Sequence, residues 1–146
     1  MATLIDNKKA HFDYEILEKY EAGIELLGFE VKALKNHKGS LEGAYTIVRG
    51  GEAFVVNMLI SPYQEKNTPS GYEPRRMRRL LLSKMEIADM AGMEKNLTIV
   101  PISVYTKGDR IKLSIAIVRG KKKYDKRETT KKRETDREMG RVMRDR

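Results

Sequence analysis

Charge is distributed very unevenly along this chain. The last 28 residues, Arg119 to Arg146, carry 13 Lys/Arg against 6 Asp/Glu, a net charge of +7, while the whole protein carries +9. The 118 residues before them hold 17 basic and 15 acidic side chains. The terminal stretch has one aromatic residue, Tyr124, and no proline or cysteine. Such a segment cannot bury enough apolar surface to offset the entropy of ordering it. The fold must therefore be built by the near-neutral part. The expected division is a globular body over residues 1–120 and a basic tail over residues 121–146. A cationic tail on a compact body points to a polyanionic partner.

The body reads as mainly β. Tyr14, Ile16, Tyr20, Ala22, Ile24 and Leu26 alternate with Asp13, Glu15, Lys19, Glu21 and Glu25, with Glu18 a polar exception. That period of two predicts a long half-buried strand. A helix is the competing reading, because Ile16, Tyr20, Ile24 and Leu27 recur at three or four, but Gly23 suits a bulged strand better. Glu30–Lys35 predicts a short helix. Tyr45–Arg49 and Ala53–Leu59 flank Gly50-Gly51-Glu52 and predict a hairpin. Arg49-Gly50-Gly51 also has the form of an RNA-binding RGG element, although a single copy reads more simply as a turn. Ser61–Pro74, with Pro62, Pro69, Gly71 and Pro74, is a loop. Ser83 with Glu86 forms a capping box, opening a helix to about Asn96. Ile99–Tyr105 and Arg110–Val118 predict a second hairpin. About five or six mostly antiparallel strands with short helices suit a small OB-type β-barrel, a class that carries nucleic-acid sites on its open face and loops.

Catalytic and metal-binding signatures are missing. The only histidines are His11 and His37, and there is no cysteine. There is no His-Glu-x-x-His, Walker phosphate loop, nucleophile elbow or dinucleotide fingerprint. No cofactor and no metal are expected. Glu15, Glu21 and Glu25 would share one strand face and would flank a substrate as acid and base, or simply form a solvated face. No apolar run reaches the ~18 residues needed to span a bilayer. The start, Met-Ala-Thr-Leu-Ile-Asp-Asn-Lys-Lys, has no signal core. With the absence of cysteine, this suggests an intracellular protein.

Basic residues cluster at Lys8-Lys9, at Arg75-Arg76 with Arg78-Arg79, at Lys121-Lys122-Lys123, and at Lys126-Arg127 with Lys131-Lys132-Arg133. Such groups neutralise backbone phosphates. Stacking aromatics are few, which favours a structured RNA recognised by shape and phosphate over an extended single strand. Phe12, Tyr14 and Phe29 serve equally well as core, and Tyr63, Tyr72 and Tyr124 complete the set. In the tail, Met139, Val142 and Met143 form an apolar stripe among Arg137, Arg141, Arg144 and Arg146. Alone that segment is too short and charged for a stable helix. As a helix, 28 residues span about 40 Å at ~1.5 Å each; extended, they reach about 95 Å at ~3.4 Å each. Either length reaches a site remote from the body.

Several segments carry a resemblance. They are Asn7–Ala10, Tyr20-Glu21-Ala22-Gly23-Ile24, Gly28-Phe29-Glu30-Val31-Lys32-Ala33-Leu34, Gly51-Glu52-Ala53-Phe54, Ile60-Ser61-Pro62-Tyr63, Pro74-Arg75-Arg76, Arg79-Leu80-Leu81-Leu82 and Gly120–Arg127. In this order, nearly end to end, the chain resembles the SsrA-binding protein family, also called small protein B. The resemblance implies an OB-type barrel and a bacterial, cytoplasmic, non-enzymatic adaptor. Its partner would be the tRNA-like domain of transfer-messenger RNA (tmRNA, or SsrA). With elongation factor Tu it would reach a stalled ribosome and support trans-translation, the body standing in for an anticodon arm. A monomer and no membrane contact are expected.

The family's RNA-contacting positions fall on Asn7, Glu21 and Leu81. The basic groups Lys8, Lys9, Arg75, Arg76, Arg79, Lys121, Lys122 and Lys123, with Tyr124, complete the expected RNA-binding set. The tail, disordered when free, would turn helical in the messenger channel beyond the decoding centre of the small subunit. Asp125, Lys126, Arg127, Lys131, Lys132, Arg133, Met139, Val142 and Met143 would contact the ribosome. Phe12 stands where the family often has His, and Thr135 where it often has Trp. The competing readings are a ribosomal or initiation-type OB protein and an RNA-processing enzyme using Glu21 and Glu25. Membrane-surface binding is disfavoured by the few apolar residues of the tail.

Overall fold

The alternation of Ile111, Leu113, Ile115 and Ile117 is realised as half of an 11-residue hairpin, β8 (Leu97–Lys107) with β9 (Arg110–Gly120). The computed structural model describes residues 2–62, 66 and 68–120. The tail from residue 121 onward lies outside them, and with it the expectations for Lys121–Lys123, Tyr124 and the ribosome-contacting residues. Tyr63 lies outside them too.

The chain opens with β1 (Thr3–Asp6) and α1 (Lys8–Asp13), followed by the long strand β2 (Tyr14–Ile24). Then come α2 (Gly28–Lys35), β3 (Gly39–Ser40), β4 (Tyr45–Arg49), β5 (Glu52–Val56) and β6 (Leu59–Ile60). After the proline-rich loop follow β7 (Arg78–Leu81) and α3 (Lys84–Ala91). The β4–β5 turn needs two residues at positive φ, and Gly50 (59°) and Gly51 (75°) supply them. Ser83 caps α3 in the expected box with Glu86. The helix stops at Ala91, short of Asn96, with Gly92 at the C-cap.

The main sheet runs β1-β8-β4-β5-β7-β2-β9 and turns back on itself through β8–β9. All its pairings are antiparallel. The β4–β8 seam carries one registered pair, Thr46 with Ile99. The expected mainly-β architecture is present, as a rolled sheet with a thin seam rather than an evenly bonded barrel. Its interior holds Ala22, Leu34, Val55, Leu80, Ile99, Leu113, Ile115 and their neighbours.

The period-two reading of β2 needs one correction. The register of β2 against β9 shifts between Ile16 and Glu18. This bulge moves the alternation to the other face. Tyr20 and Ile24 therefore pack on the interior cluster, whereas Tyr14 and Ile16 pack outside the sheet. There they join Ala10 of α1 over Val100, Ile102, Ala116 and Val118. The same shift separates Glu15 from Glu21, so the expected row of three carboxylates on one face does not form. Glu15 pairs with Arg119 across the strands.

Candidate nucleic-acid interface

Strand register assembles the outer face at the far end of β2. Tyr105 of β8 pairs with Lys112 of β9, Lys112 with Gly23 of β2, and Gly23 with Leu81 of β7. One row of residues thus crosses four strands. The next row is Ser103, Ser114 and Glu21. Side chains two apart on a strand share a face, so Glu21 and Leu81, distant in sequence, lie on one surface. Leu81 is 50% exposed. It points outward because β7 alternates strictly: Arg78 and Leu80 are buried, Arg79 and Leu81 exposed.

Glu21 is held as an oriented acceptor. The Tyr105 hydroxyl donates to its Oε2, and the Lys107 ammonium lies 3.1 Å from Oε1. The Tyr105 bond, then the Lys107 bond, hold the Glu21 carboxyl below the usual range. In the same pair, partial burial and then the carboxylate push the Tyr105 hydroxyl up to about 12. Glu21 is thus ionised at any physiological pH, which suits accepting a hydrogen bond and not shuttling a proton. Glu25 is engaged by Arg79 at 3.3 Å.

The other expected residues fall in separate places. Asn7 is 6% exposed and caps α1. Its Oδ1 accepts from the Ala10 amide, and its Nδ2 donates to the carbonyls of Pro101 (2.9 Å) and Leu41 (3.4 Å). It therefore anchors α1, which carries Lys8 and Lys9 outward, and Lys9 lies 3.6 Å from Glu42. A cavity of about 330 Å³ opens beside them, between α1, Tyr45 and Thr98. Gly120 pairs with Tyr14, so β9 ends at the α1 end of β2. Gly23 lies nine positions beyond Tyr14 along β2, about 30 Å at ~3.3 Å each.

The run Arg75-Arg76-Met77-Arg78-Arg79 is not a uniform cationic patch. Arg78 is fully buried and ion-paired with Glu30, also buried. Its guanidinium further donates to the carbonyls of Met58 (2.7 Å) and Pro74 (3.0 Å). Arg76 is drawn to the same carboxylate, with its side chain 30% exposed. Arg79 bridges Glu25 and Glu52 on the surface, and Arg75 bonds Asn57. The basic run thus divides between a core ion pair and the exposed face. Arg110 and Lys112, by contrast, stand singly in a strand, where charge clustering gives no signal. Among the described residues, no carboxylate ion-pairs with either.

Among the described residues, no group of three His, Asp or Glu side chains is placed to hold a metal ion. Also among them, no helix is long and apolar enough to cross a membrane.

Comparison with known proteins gives the family. A family model described as SmpB protein matches residues 4–145. The SsrA-binding protein of Microcystis aeruginosa is 46% identical over 142 residues, covering 96% of this chain and 92% of the relative. That of Burkholderia vietnamiensis is 46% identical over 144 residues, covering 97% of each. That of Clostridium acetobutylicum is 48% identical over 143 residues, covering 97% of this chain and 92% of its own. A solved chain from the structure described as "tmRNA-SmpB: a journey to the center of the bacterial ribosome" aligns with a TM-score of 0.69 at 39% identity. The alignment covers 84% of this chain and 87% of that one.

Proposed function

Because the chain belongs to the SmpB protein family, we propose that it is a non-enzymatic adaptor that binds the tRNA-like domain of tmRNA and serves trans-translation on stalled ribosomes. The observation that carries this reading is that the family match spans body and tail together, residues 4–145. The outer face supports it. Glu21 offers a fixed carboxylate acceptor to a base amine or a 2′-hydroxyl, which gives fit. Leu81 offers an apolar contact beside it. Lys8, Lys9, Arg75 and Arg79 offer surface charge. Asn7 serves the RNA site by holding α1, and Arg76 by holding the loop before β7. The basic residues Lys121–Lys123 with Tyr124 extend the RNA contact past the exit at Gly120.

The tail then works at a distance from the RNA face. In this reading it turns helical in the empty messenger channel below the decoding centre. Its charged groups from Asp125 to Arg133 meet ribosomal RNA, and Met139, Val142 and Met143 form the buried stripe. The complex is delivered with elongation factor Tu, and the protein acts as a cytoplasmic monomer. The enzyme alternative finds no support at Glu21 or Glu25, whose carboxylates are held by Lys107 and Arg79.

The test uses the full chain and a truncation after Gly120, where β9 ends. Filter binding to a tRNA-like RNA should be tight and salt-sensitive for both. Peptide tagging on a message lacking a stop codon should require the full chain. Rescue by the truncated chain, or turnover of the RNA, contradicts the reading.

A further inference from the structure

Among the described residues, two other than glycine have a positive φ, His37 (59°) and Asn57 (65°). His37 directly follows the C-cap of α2, where a left-handed residue commonly ends a helix. Asn57 has no helix end to account for it. It joins β5 to β6, and glycine would take the same backbone with less strain. What asparagine adds there is a side chain. Its Nδ2 donates to the Gly43 carbonyl at 3.2 Å, and its Oδ1 accepts from Arg75 Nη1 at 3.1 Å. The Asn57 carbonyl lies 3.4 Å from the same arginine nitrogen.

Arg75 thereby differs from the arginines that follow it. Arg76 and Arg78 pair with Glu30, and Arg79 with Glu25 and Glu52. Arg75 is held by uncharged groups, and both contacts use Nη1. The Glu73 carboxylate accepts from the Arg75 backbone amide. Among the described residues, none bonds the Nε and Nη2 edge of this guanidinium, the fork that grips two phosphate oxygens together. Resting on the RNA-binding reading above, we propose that Asn57 is a positioning residue, which holds the Arg75 guanidinium so that this edge meets one RNA phosphate. An arginine fixed in advance loses less rotamer freedom on binding than one that swings. The brace has a second end: the bond to Gly43 fixes Asn57 on the link between β3 and β4. An amide suits this work because it orients the cation without neutralising it. A carboxylate in its place would orient it equally and cancel the charge that the phosphate needs.

The full-length protein and the tRNA-like RNA provide the test. Arg75→Ala should lower the slope of log affinity against log salt by about 0.7–0.9, one phosphate contact. Asn57→Gly keeps the cation and suits the backbone. Slope and thermal midpoint should therefore hold while affinity falls roughly two- to tenfold, the scale of ordering one long side chain. Added to Arg75→Ala, Asn57→Gly should cost no further affinity, a result that a merely structural role would not give. Asn57→Asp keeps the brace but neutralises the guanidinium, so it should lower the slope as Arg75→Ala does, and it covers the event that Asn57→Gly fails to fold. Wild-type affinity in Asn57→Gly, an equal loss from it with and without Arg75, or a wild-type slope in Arg75→Ala or Asn57→Asp overturns the proposal. If the wild type prefers the tRNA-like RNA no more than an unrelated hairpin of equal length, the functional reading itself fails.

Discussion

Glu30 is the centre of a buried polar cluster in the body. Its carboxylate is fully buried and meets Arg78, Arg76, the Tyr72 hydroxyl and the Leu27 amide. Tyr72 in turn sets its ring edge-on to Phe29, with centroids 4.7 Å apart. Burial is the largest single influence on Glu30 and pushes its carboxyl up. Arg76, the Leu27 amide, Arg78 and Tyr72 together outweigh it and hold the group at about 2. A carboxyl held below its unfolded value stabilises the fold at higher pH. That contribution is complete above 4.5, the ordinary value, and disappears as pH falls through about 2. Glu30→Gln should cost about 3–5 kcal/mol at neutral pH, because it strands the buried Arg78 guanidinium. Urea unfolding at pH 7 and pH 3 checks both points: the gap between wild type and Glu30→Gln should narrow at the lower pH. A gap that stays constant removes Glu30 from the acid response. Nothing in the spacing of Arg75 to Arg79 announces that one arginine turns inward. Local charge density reads as surface, and only the partner 48 residues away, Glu30, reveals the core pair.

At the scale of elements, the patterns that survived folding were those with many repeats. β9 alternates from Arg110 to Ile115 before both of its faces are buried, β4–β5 has its Gly-Gly turn, and α3 has its capping box. Short elements were missed: β1 has four residues, α1 six and β7 four. None is long enough to show a period, and their position is set by partners far along the chain. The bulge in β2 was invisible for a related reason, since apolar residues on both sides of it are buried, merely against different layers. Glu21 and Leu81 came from family resemblance, and the register then explained why they meet. Asn7 came the same way, and its geometry gives it a cap's work. Asn7→Ala removes that cap and leaves the Pro101 carbonyl without its donor, so it should destabilise the body by about 1–2 kcal/mol. Equilibrium denaturation measures that directly. RNA affinity should fall only as far as Lys8 and Lys9 are displaced, and Asn7→Ser, which keeps a capping oxygen, should restore most of both. A loss of affinity with unchanged stability assigns Asn7 to direct RNA contact instead.

On the scale of the whole molecule, β2 connects the two ends to which the proposed function gives different tasks. Gly23 and Glu21 sit at one end with Leu81, and Tyr14 pairs with Gly120 at the other, where β9 ends. The last described strand ends at Gly120, and on the proposed division into body and tail, truncation there should leave the thermal unfolding midpoint within experimental error of the full chain. The tail's charge and its apolar stripe should then separate by assay. Replacing Lys121, Lys122 and Lys123 by Ala removes three cations at the exit point, and the slope of log affinity against log salt should flatten by about two, at 0.7–0.9 per phosphate contact. Val142→Asp with Met143→Asp adds two like charges far from the exit and should leave that slope and the RNA affinity unchanged while tagging activity falls. These two outcomes follow from chain distance: residues 121–123 adjoin Gly120 in the sequence, whereas residue 142 is 22 residues beyond it. If the Val142 and Met143 changes weaken RNA binding as much as they weaken tagging, the tail is part of the RNA grip and the separation of tasks along β2 is wrong.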